Sequence, residues 1–297
     1  MKNQTTLANS NRRWLKGAIL TVCVLALGSV AETKADPVSL GDASGFTVLG
    51  MGTSTNVSIN GGNGVHGTVG ATGQIALDNP SNIFGDVILG PNGSFKSTAQ
   101  LAVTSTQNAA LIAQAAADAR AASTFAAGLA ATNSLTSLQF SHSSQTINGT
   151  AGLNVLNLSS VNLDHDTLIL SAPAGGSFVL NVTGDFVLNT GSITLAGGLT
   201  SNDVLINVIG AGSNVAFTGG GNSSVVFGTI LATDRDIQLS PGMVNGRIIG
   251  GGNQITLVSG SEVNGPPVPE PTTMLLLGTG LAGIAAKLRR RRKQLKD

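Results

Sequence analysis

The sequence has little cysteine and few large aromatic residues. Its one cysteine, Cys23, lies in an apolar N-terminal run, tyrosine is absent, and the one tryptophan is Trp14. A chain that loses this N-terminal run keeps no thiol, which excludes a disulfide framework, a thiolate metal site and a cysteine nucleophile. Because aromatic side chains normally supply much of a globular core's buried area, the predicted core is thin and filled by aliphatic residues.

Charged residues are also scarce, and their distribution matters more than the formal net charge of +1. Residues 1–35 hold 5 of the 16 Lys and Arg and 1 of the 15 acids, while residues 269–297 hold 7 Lys and Arg and 2 acids. The body between them keeps 4 cations against 12 acids, a net charge of −8. Binding to nucleic acid depends on Lys and Arg contacts to phosphate, so no nucleic-acid partner is expected. An acidic surface suits a soluble extracellular body.

The N-terminus has the layout of a secretory signal peptide. Four Lys or Arg residues within the first 16 positions precede the apolar run 17–28, and small residues follow. This order of charge, apolar run and small residues is typical of a cleaved export signal. We expect signal peptidase to cut after Ala35, with Ala31 as the alternative, so that residues 1–35 are the signal.

The body of the chain predicts many short strands. Runs rich in Val, Ile and Leu recur about every ten residues between Gly, Asn, Asp and Ser, for example NVSI (56–59), LNVLNL (153–158), SFVLNV (177–182) and QITLV (254–258). Two architectures fit this spacing, a sandwich and a solenoid. The shortness of the strands, the Gly and Asn corners and the lack of aromatics favour a mainly β fold of right-handed β-helix (solenoid) type over residues 36–262.

One segment departs from the strand pattern. Residues 98–131 are dense in alanine, with apolar residues at three-and-four spacing, which predicts one long Ala-rich helix over about 105–128. Ser105 or Thr106 is the expected N-cap and Gly128 the expected stop. A helix of such small apolar side chains is expected to lie along a wall of the solenoid.

Titratable residues form two local clusters that are candidates for a metal or acid–base site. In Asp164-His165-Asp166, strand alternation predicts that the two carboxylates share a face and the imidazole points away, which favours a solvated turn over a metal or acid–base site. Asp234-Arg235-Asp236 predicts a polar corner with a local ion pair, with a calcium site as the alternative. We therefore expect no catalytic residue, no bound metal and no cofactor.

The body resembles a family of extracellular bacterial domains known as choice-of-anchor A. The resemblance is carried by LGDASGFTVLG (40–50) and FGTILATDRDIQLSPGMVNGRIIGG (227–251). The ice-binding-like β-solenoid family has the same plan, with a long helix beside the coils and a closing V-N-G-R strand. Its members bind ice through ordered hydroxyl and methyl groups, but this sequence has no Thr-x-Thr ladder over successive coils.

The C-terminus carries three ordered features. A Pro-Glu-Pro triplet, Pro269, Glu270 and Pro271, is followed by an uncharged stretch, 272–286, and then by a basic cluster that contains Arg289, Arg290, Arg291 and Arg292. The stretch would be about 22 Å long as a helix at ~1.5 Å per residue, which is short for a hydrocarbon core of about 30 Å. The stretch is therefore short for a permanent membrane anchor, and a generic C-terminal anchor is the alternative interpretation.

The order of these features closely resembles the PEP-CTERM sorting signal of Gram-negative bacteria. This resemblance implies recognition by an exosortase, with residues 263–271 as a linker and 272–297 as a short transmembrane helix and basic tail that contact the membrane transiently. It also implies an inner-membrane intermediate and export to the outer surface or extracellular matrix.

The sequence therefore predicts an exported, non-catalytic surface or matrix protein. A structural or adhesive role, with exopolysaccharide or another surface polymer as a partner, is the preferred function. Ice binding is the alternative, and a polysaccharide-active β-helix enzyme is a weaker one, since that chemistry needs a pair of carboxylates across a groove.

Overall fold

The computed structural model describes residues 36–61, 63–78, 80–98, 103–219, 224–258 and 260–266. Within these ranges the protein is mainly β, with one α-helix and two short 3-10 turns, Gly41–Gly45 and Ser201–Asp203. The strands and the helix are, in chain order, β1 (Val48–Gly50), β2 (Asn56–Asn60), β3 (Gly64–His66), β4 (Val69–Ala71), β5 (Gln74–Asp78), β6 (Val87–Leu89), β7 (Ser94–Ser97), β8 (Ser105–Gln107), α1 (Ala109–Ala127), β9 (Leu138–Ser141), β10 (Gln145–Asn148), β11 (Leu153–Leu158), β12 (Val161–Asp164), β13 (Thr167–Ala172), β14 (Ser177–Val182), β15 (Phe186–Asn189), β16 (Ser192–Gly197), β17 (Val204–Val208), β18 (Val215–Thr218), β19 (Ser224–Ala232), β20 (Ile237–Ser240), β21 (Gly242–Gly250), β22 (Gln254–Val258) and β23 (Glu262–Asn264).

The strands stack in parallel into a solenoid with three faces. Face A contains β11, β14, β17, the second halves of β19 and β21, and β1, β4, β6 and β8. Face B is the nine-stranded sheet β7-β5-β2-β22-β20-β18-β15-β12-β9. Face C contains β10, β13, β16, the first halves of β19 and β21, β23 and β3. The fold is mainly β, as predicted, and the parallel pairing favours the predicted solenoid over a sandwich, since the strands of a sandwich pair antiparallel.

The order of coils differs from the order of the sequence. Strand β1 pairs with β21, so that Val48 lies opposite Ile248, and β2 pairs with β22. The N-terminal strands β1 to β8 therefore form one end of the solenoid. Helix α1 follows β8, and the strands after the helix form the other end. The last of these strands, β21 to β23, pair with β1, β2 and β3. This arrangement pairs the C-terminal strands through backbone hydrogen bonds instead of leaving an open sheet edge.

The core is narrow and mostly aliphatic, as the lack of aromatics predicts. Alternate strand residues point inward, and the fully buried set is dominated by Val, Leu and Ile. Three phenylalanines, Phe178, Phe186 and Phe217, lie inside the coils, and the rings of Phe186 and Phe217 are 6.2 Å apart. Each coil thus fills its own cross-section and stacks on the next.

The helix starts later than the sequence predicts. Asn108 is the N-cap, and its side chain accepts a hydrogen bond from the Leu111 backbone N–H at 3.1 Å. The expected caps Ser105 and Thr106 are wrong, because these residues form β8 and pair with Val87 and Ile88. Backbone pairing with a preceding coil satisfies the hydrogen-bonding groups of these residues instead of a further helical turn. Gly128 is the C-cap, as predicted.

Helix α1 lies on face A, which confirms its predicted role as a cover. Its buried alanines pack with Ile112 against outward residues of the sheet, including Leu49, Val179 and Ile249. The apolar side of the helix and the apolar outer surface of face A thereby remove each other from water.

An asparagine ladder fixes the C-terminal half of the helix. Asn157, Asn181 and Asn207 occupy the same position on three adjacent strands. Asn207 Nδ2 donates to the Ser123 carbonyl at 3.0 Å and Asn181 Nδ2 donates to the Ala126 carbonyl at 2.7 Å. The amides also bond to one another, from Asn207 to Asn181 at 2.9 Å and from Asn181 to Asn157 at 3.0 Å. These bonds tie the last two turns of the helix to the sheet, and Ala126 is one of the last four helical residues, whose carbonyls have no i+4 partner within the helix.

Arg247, in the V-N-G-R strand, joins β21 to the N-terminal segment. Its Nε donates to the Ser44 carbonyl at 3.0 Å, and its Nη1 lies 3.4 Å from Asp36 Oδ1. Burial raises the pKa of Asp36 and lowers the pKa of Arg247, and the attraction between the two charges opposes both shifts. The pair connects the two parts of the solenoid that meet at β1 and β21.

Several predicted features fall outside the described residues. They are the signal with its cleavage site at Ala35, the Pro269-Glu270-Pro271 triplet, the stretch 272–286 and the basic residues Arg289 to Arg292. In the ranges that the structure describes, no helix is both long enough and apolar enough to cross a membrane.

Candidate binding surfaces

Faces B and C are the two faces available for binding, because α1 covers face A. On both faces, alternate strand residues point outward, so that the register of the parallel strands aligns them into columns perpendicular to the strands. The sequence alone shows which residues alternate, but only the pairing shows which of them become neighbours.

Face B has two long, irregular outward columns, besides a short third one of Gln254, Asn56, Gln74 and Ser94 that holds no threonine. The first runs through Gln139, Asn162, Val187, Ala216, Gln238, Thr256, Ser58, Ala76 and Lys96. The second runs through Ser141, Asp164, Asn189, Thr218 and Ser240 on one side, and through Val258, Asn60 and Asp78 on the other. Neither column has threonine on adjacent strands. The described part of face B therefore has no Thr-x-Thr ladder, in agreement with the sequence.

Face C carries a line of larger side chains that we call the face C strip, composed of Phe227, Asn245, Asn264, His66 and Phe84. The first four are direct register partners on β19, β21, β23 and β3. Phe84 continues the line, because its ring stacks on the His66 ring with centroids 4.5 Å apart and planes inclined by 14°. Four strand spacings make the strip about 19 Å long.

Polar groups in the strip are held in fixed orientations. Asn264 Nδ2 donates to Asn245 Oδ1 at 3.2 Å, which leaves an amide oxygen on Asn264 and an amide N–H on Asn245 for other partners. Glu262 borders the strip and accepts a hydrogen bond from Asn63 at 3.2 Å, and its other oxygen lies 3.6 Å from His66 Nε2. The strip thus has aromatic rings at both ends and hydrogen-bonding amides between them.

A groove widens one end of the strip. It has a volume of about 600 Å³ and is lined by Leu195, Leu199, Phe227, Asn245 and Asn264, among others. Its apolar wall comes from β16 and from the loop that follows it. A concave, mainly apolar site with a few fixed polar groups is the usual form of a small-molecule or oligomer site.

The Asp164-His165-Asp166 cluster does not have the predicted arrangement. His165 has a positive φ of 59° at the corner, and its Nδ1 lies 2.9 Å from Asp164 Oδ1. Asp166 is 3% exposed and accepts a hydrogen bond from the Ser143 backbone N–H. The hydrogen bond from His165 lowers the pKa of Asp164. The prediction that the carboxylates share a face is wrong, because the left-handed corner breaks strand alternation.

The predicted ion pair in Asp234-Arg235-Asp236 is also wrong. Arg235 is 2% exposed, and its guanidinium donates to backbone carbonyls in the corners of preceding coils. These bonds run to Gly184 at 2.7 Å, Gly210 at 2.8 Å, Thr183 and Ile209 at 3.0 Å, and Ser213 at 3.4 Å. Asp236 instead accepts from the backbone N–H groups of Asn253 and Gln254. The side chain of Arg235 therefore connects the corner at 183–184 to the corner at 209–213 through hydrogen bonds.

The described residues contain no group of three or more His, Cys, Asp or Glu arranged to hold a metal ion. The sequence also missed the face C strip, since its members lie on four strands and a turn that are far apart in the chain. In the sequence, a strip residue on a strand is recognisable only as a polar or aromatic residue between two aliphatic residues that are expected to be buried.

These features define a class of protein: a parallel β-solenoid with one helix-covered face and two faces open for binding. The family model described as "Putative Ice-binding-like adhesive domain" matches residues 28–265, and the chain belongs to this family. The model of the PEP-CTERM protein-sorting motif matches residues 267–292. Both matches confirm the resemblances seen in the sequence, and the sorting motif implies exosortase processing and export to the cell surface.

Solved structures with the same fold include ice-binding proteins. One from an Arctic yeast is 20% identical, with a TM-score of 0.50 over 80% of this chain and 98% of that chain. Another, from an Antarctic bacterium of the Flavobacteriaceae, is 17% identical, with a TM-score of 0.51 over 82% of this chain and 52% of that one. At these identities the likeness establishes the fold. A search of curated proteins gives no match.

Proposed function

We propose that this protein is an exported, non-catalytic adhesive component of the cell surface or extracellular matrix that binds a neutral polysaccharide through the face C strip. The observation that carries the proposal is the placement of two oriented asparagines between Phe227 and the stacked His66–Phe84 pair along about 19 Å. The C–H faces of sugar rings pack on aromatic rings, and their hydroxyls pair with amide oxygen and N–H groups.

The charge of the body favours a neutral polymer over an anionic one. Of its four cations, Arg235 and Arg247 are buried, and Glu262 lies beside the strip. An acidic polysaccharide would meet few compensating charges and one carboxylate at the site. We therefore also propose that signal peptidase and exosortase deliver the body to the outer surface of a Gram-negative cell, where a neutral exopolysaccharide is its partner.

Replacement of Phe84 by alanine is expected to weaken binding to a soluble neutral glucan such as hydroxyethyl cellulose by about 10-fold. The change removes the exposed ring of the strip, and one aromatic stack contributes roughly 0.5–1.5 kcal/mol. Asn264→Ala is expected to weaken it by a similar factor, because it removes the free amide oxygen. Affinity electrophoresis of the full chain in gels with and without the glucan measures the effect.

Phe125→Ala is the matched control for the strip, since Phe125 is 61% exposed on the helix, on another face. It is expected to bind as the unchanged chain does, and alginate is expected to retard none of the proteins. Failure of the unchanged chain to bind neutral glucan, or equal losses in Phe84→Ala and Phe125→Ala, would contradict the proposal.

Ice binding through face B is the second candidate. It is favoured by the small outward residues Thr256, Ser58 and Ala76 on three adjacent strands of the nine-stranded sheet, together with a fold shared with ice-binding proteins. If face B binds ice, the full chain shapes growing ice crystals and gives thermal hysteresis. Thr256→Arg, which places a bulky charge on β22 next to the central strand of face B, is then expected to abolish the hysteresis.

The two functions make opposite predictions for the same variants. Phe84→Ala leaves hysteresis unchanged if face B binds ice, and Thr256→Arg leaves glucan binding unchanged if the face C strip binds the polymer. Absence of hysteresis in the unchanged chain would eliminate the ice-binding alternative.

A further inference from the structure

Two histidines from successive coils form an ordered pair at the corner between faces B and C. His142 and His165 follow β9 and β12, and both have a φ of 59°. Their backbone N–H groups donate to the next coil in the same way, His142 to the Asp164 carbonyl at 3.1 Å and His165 to the Asn189 carbonyl at 2.9 Å. The imidazole rings stack with centroids 5.1 Å apart and planes inclined by only 7°.

Each ring is oriented through its Nδ1. His142 Nδ1 lies 2.8 Å from Ser141 Oγ, and His165 Nδ1 lies 2.9 Å from Asp164 Oδ1. The same carboxylate oxygen accepts a hydrogen bond from Asn189 Nδ2 at 2.7 Å, which fixes its position. A carboxylate that accepts Nδ1–H leaves the lone pair on Nε2, the arrangement in which histidine binds metals.

The corner does not require histidine for its backbone conformation. Thr190, with a φ of 53°, and Gly219, with a φ of 145°, occupy the equivalent position in the next two coils. The imidazoles are exposed, and the side chain of His165 is 49% accessible. Neither the backbone conformation of the corner nor core packing therefore requires histidine at positions 142 and 165.

We propose that His142 and His165 form a surface site for one divalent transition-metal ion, bound through both Nε2 atoms and oriented by Asp164. Imidazole suits Cu²⁺, Ni²⁺ and Zn²⁺, and Cu²⁺ binds most tightly in this series. Metal–nitrogen bonds of about 2 Å need nitrogens no more than about 4 Å apart. The ring centroids are 5.1 Å apart and the planes are nearly parallel, so both exposed side chains must rotate, which tilts the rings toward each other, before the two Nε2 lone pairs point at one ion.

The site is open, with two protein ligands. In the part of the chain that the structure describes, no third His, Cys, Asp or Glu completes a metal-binding group. Water therefore fills the remaining coordination positions. The sequence pattern did not indicate this site, because the two histidines are 23 positions apart and only the coil register brings them together.

Titration of the full, untagged chain with Cu²⁺ tests the proposal. We expect one ion to bind per chain, and substitution of either histidine, in His142→Ala or His165→Ala, to weaken binding at least 10-fold. Asp164→Asn is expected to weaken it on the order of 10-fold while the site remains, as the loss of a carboxylate behind a metal-bound histidine does. Far-UV circular dichroism checks that each variant folds.

His66→Ala is the matched control, since His66 is exposed and is the third of the three histidines in the chain. We expect it to bind Cu²⁺ with unchanged affinity, and the NMR signals of His142 and His165 to broaden before those of His66. The proposal is overturned if the unchanged chain binds no Cu²⁺, if the double variant His142→Ala/His165→Ala keeps the affinity, or if His66→Ala loses it equally.

Discussion

Substitution of Arg235 by alanine is expected to lower the free energy of unfolding by about 4 kcal/mol. The guanidinium is 2% exposed and donates to five backbone carbonyls, at distances from 2.7 to 3.4 Å, in two corners of the solenoid. Removal of the side chain leaves buried carbonyls without donors, and each such group costs roughly 1–3 kcal/mol unless water enters. Urea unfolding followed by far-UV circular dichroism measures the loss, because the body has no Trp or Tyr for fluorescence.

Two substitutions show whether the effect comes from the guanidinium fork. Arg120→Ala removes the same side chain from an exposed place on α1, where it makes one hydrogen bond to the Met51 carbonyl at 3.0 Å, and is expected to cost less than about 1 kcal/mol. Arg235→Lys keeps the charge but loses the planar fork, so we expect an intermediate loss of about 2 kcal/mol. Equal unfolding energies for Arg235→Ala and Arg120→Ala would show that Arg235 does not hold the corners.

Deletion of Pro269-Glu270-Pro271 is expected to abolish processing of the chain, so that the full C-terminus is retained. Proline fixes its own φ and restricts the residue before it, so the sequence predicts an extended triplet, and an extended segment is what a processing enzyme needs. The single substitution Glu270→Gln is expected to reduce processing strongly, because it removes the only charge in the triplet. Intact mass and cell fractionation of the protein from cells with an active exosortase measure both effects.

The neighbouring prolines provide the matched control. Pro266 and Pro267 also precede the stretch 272–286, but they lie outside the triplet, so Pro266→Ala/Pro267→Ala is expected to be processed normally. Glu262→Gln tests whether any nearby carboxylate matters and is expected to have no effect on processing. The same mature mass and location for the deletion variant and the unchanged chain would exclude the triplet as the recognition element.

The local pattern of the sequence predicts the strands well. The runs 153–158, 177–182 and 254–258 are strands with the same bounds in the structure. Strand alternation and turn residues act within one coil, so a short window contains the information that they need. The start of the helix was misplaced for the opposite reason, because Ser105 and Thr106 pair with a strand 18 residues earlier and no local signal reports that contact.

The sequence predicts the environment of polar residues less well than it predicts strands. Its local pattern places Arg235 at a polar corner with an ion pair, but in the structure the guanidinium donates to carbonyls of two other coils. His165 looked isolated, yet His142 stacks on it from the preceding coil. In both cases the residue that makes the contact lies more than 20 positions away in the chain, and the register between coils determines whether the two residues meet.

The sequence by itself predicted an N-terminal export signal, and it determined the sorting motif, the acidic body, the β-rich fold and the presence of one long helix. Composition and local periodicity are sufficient for these properties, because they depend on charge, hydrophobicity and turn chemistry within short segments. Only the tertiary structure decided which face the helix covers, where the N-terminal coils meet the C-terminal ones, and which outward residues form the face C strip and the histidine pair. Those features depend on the stacking register of parallel coils, which backbone hydrogen bonds between distant segments fix.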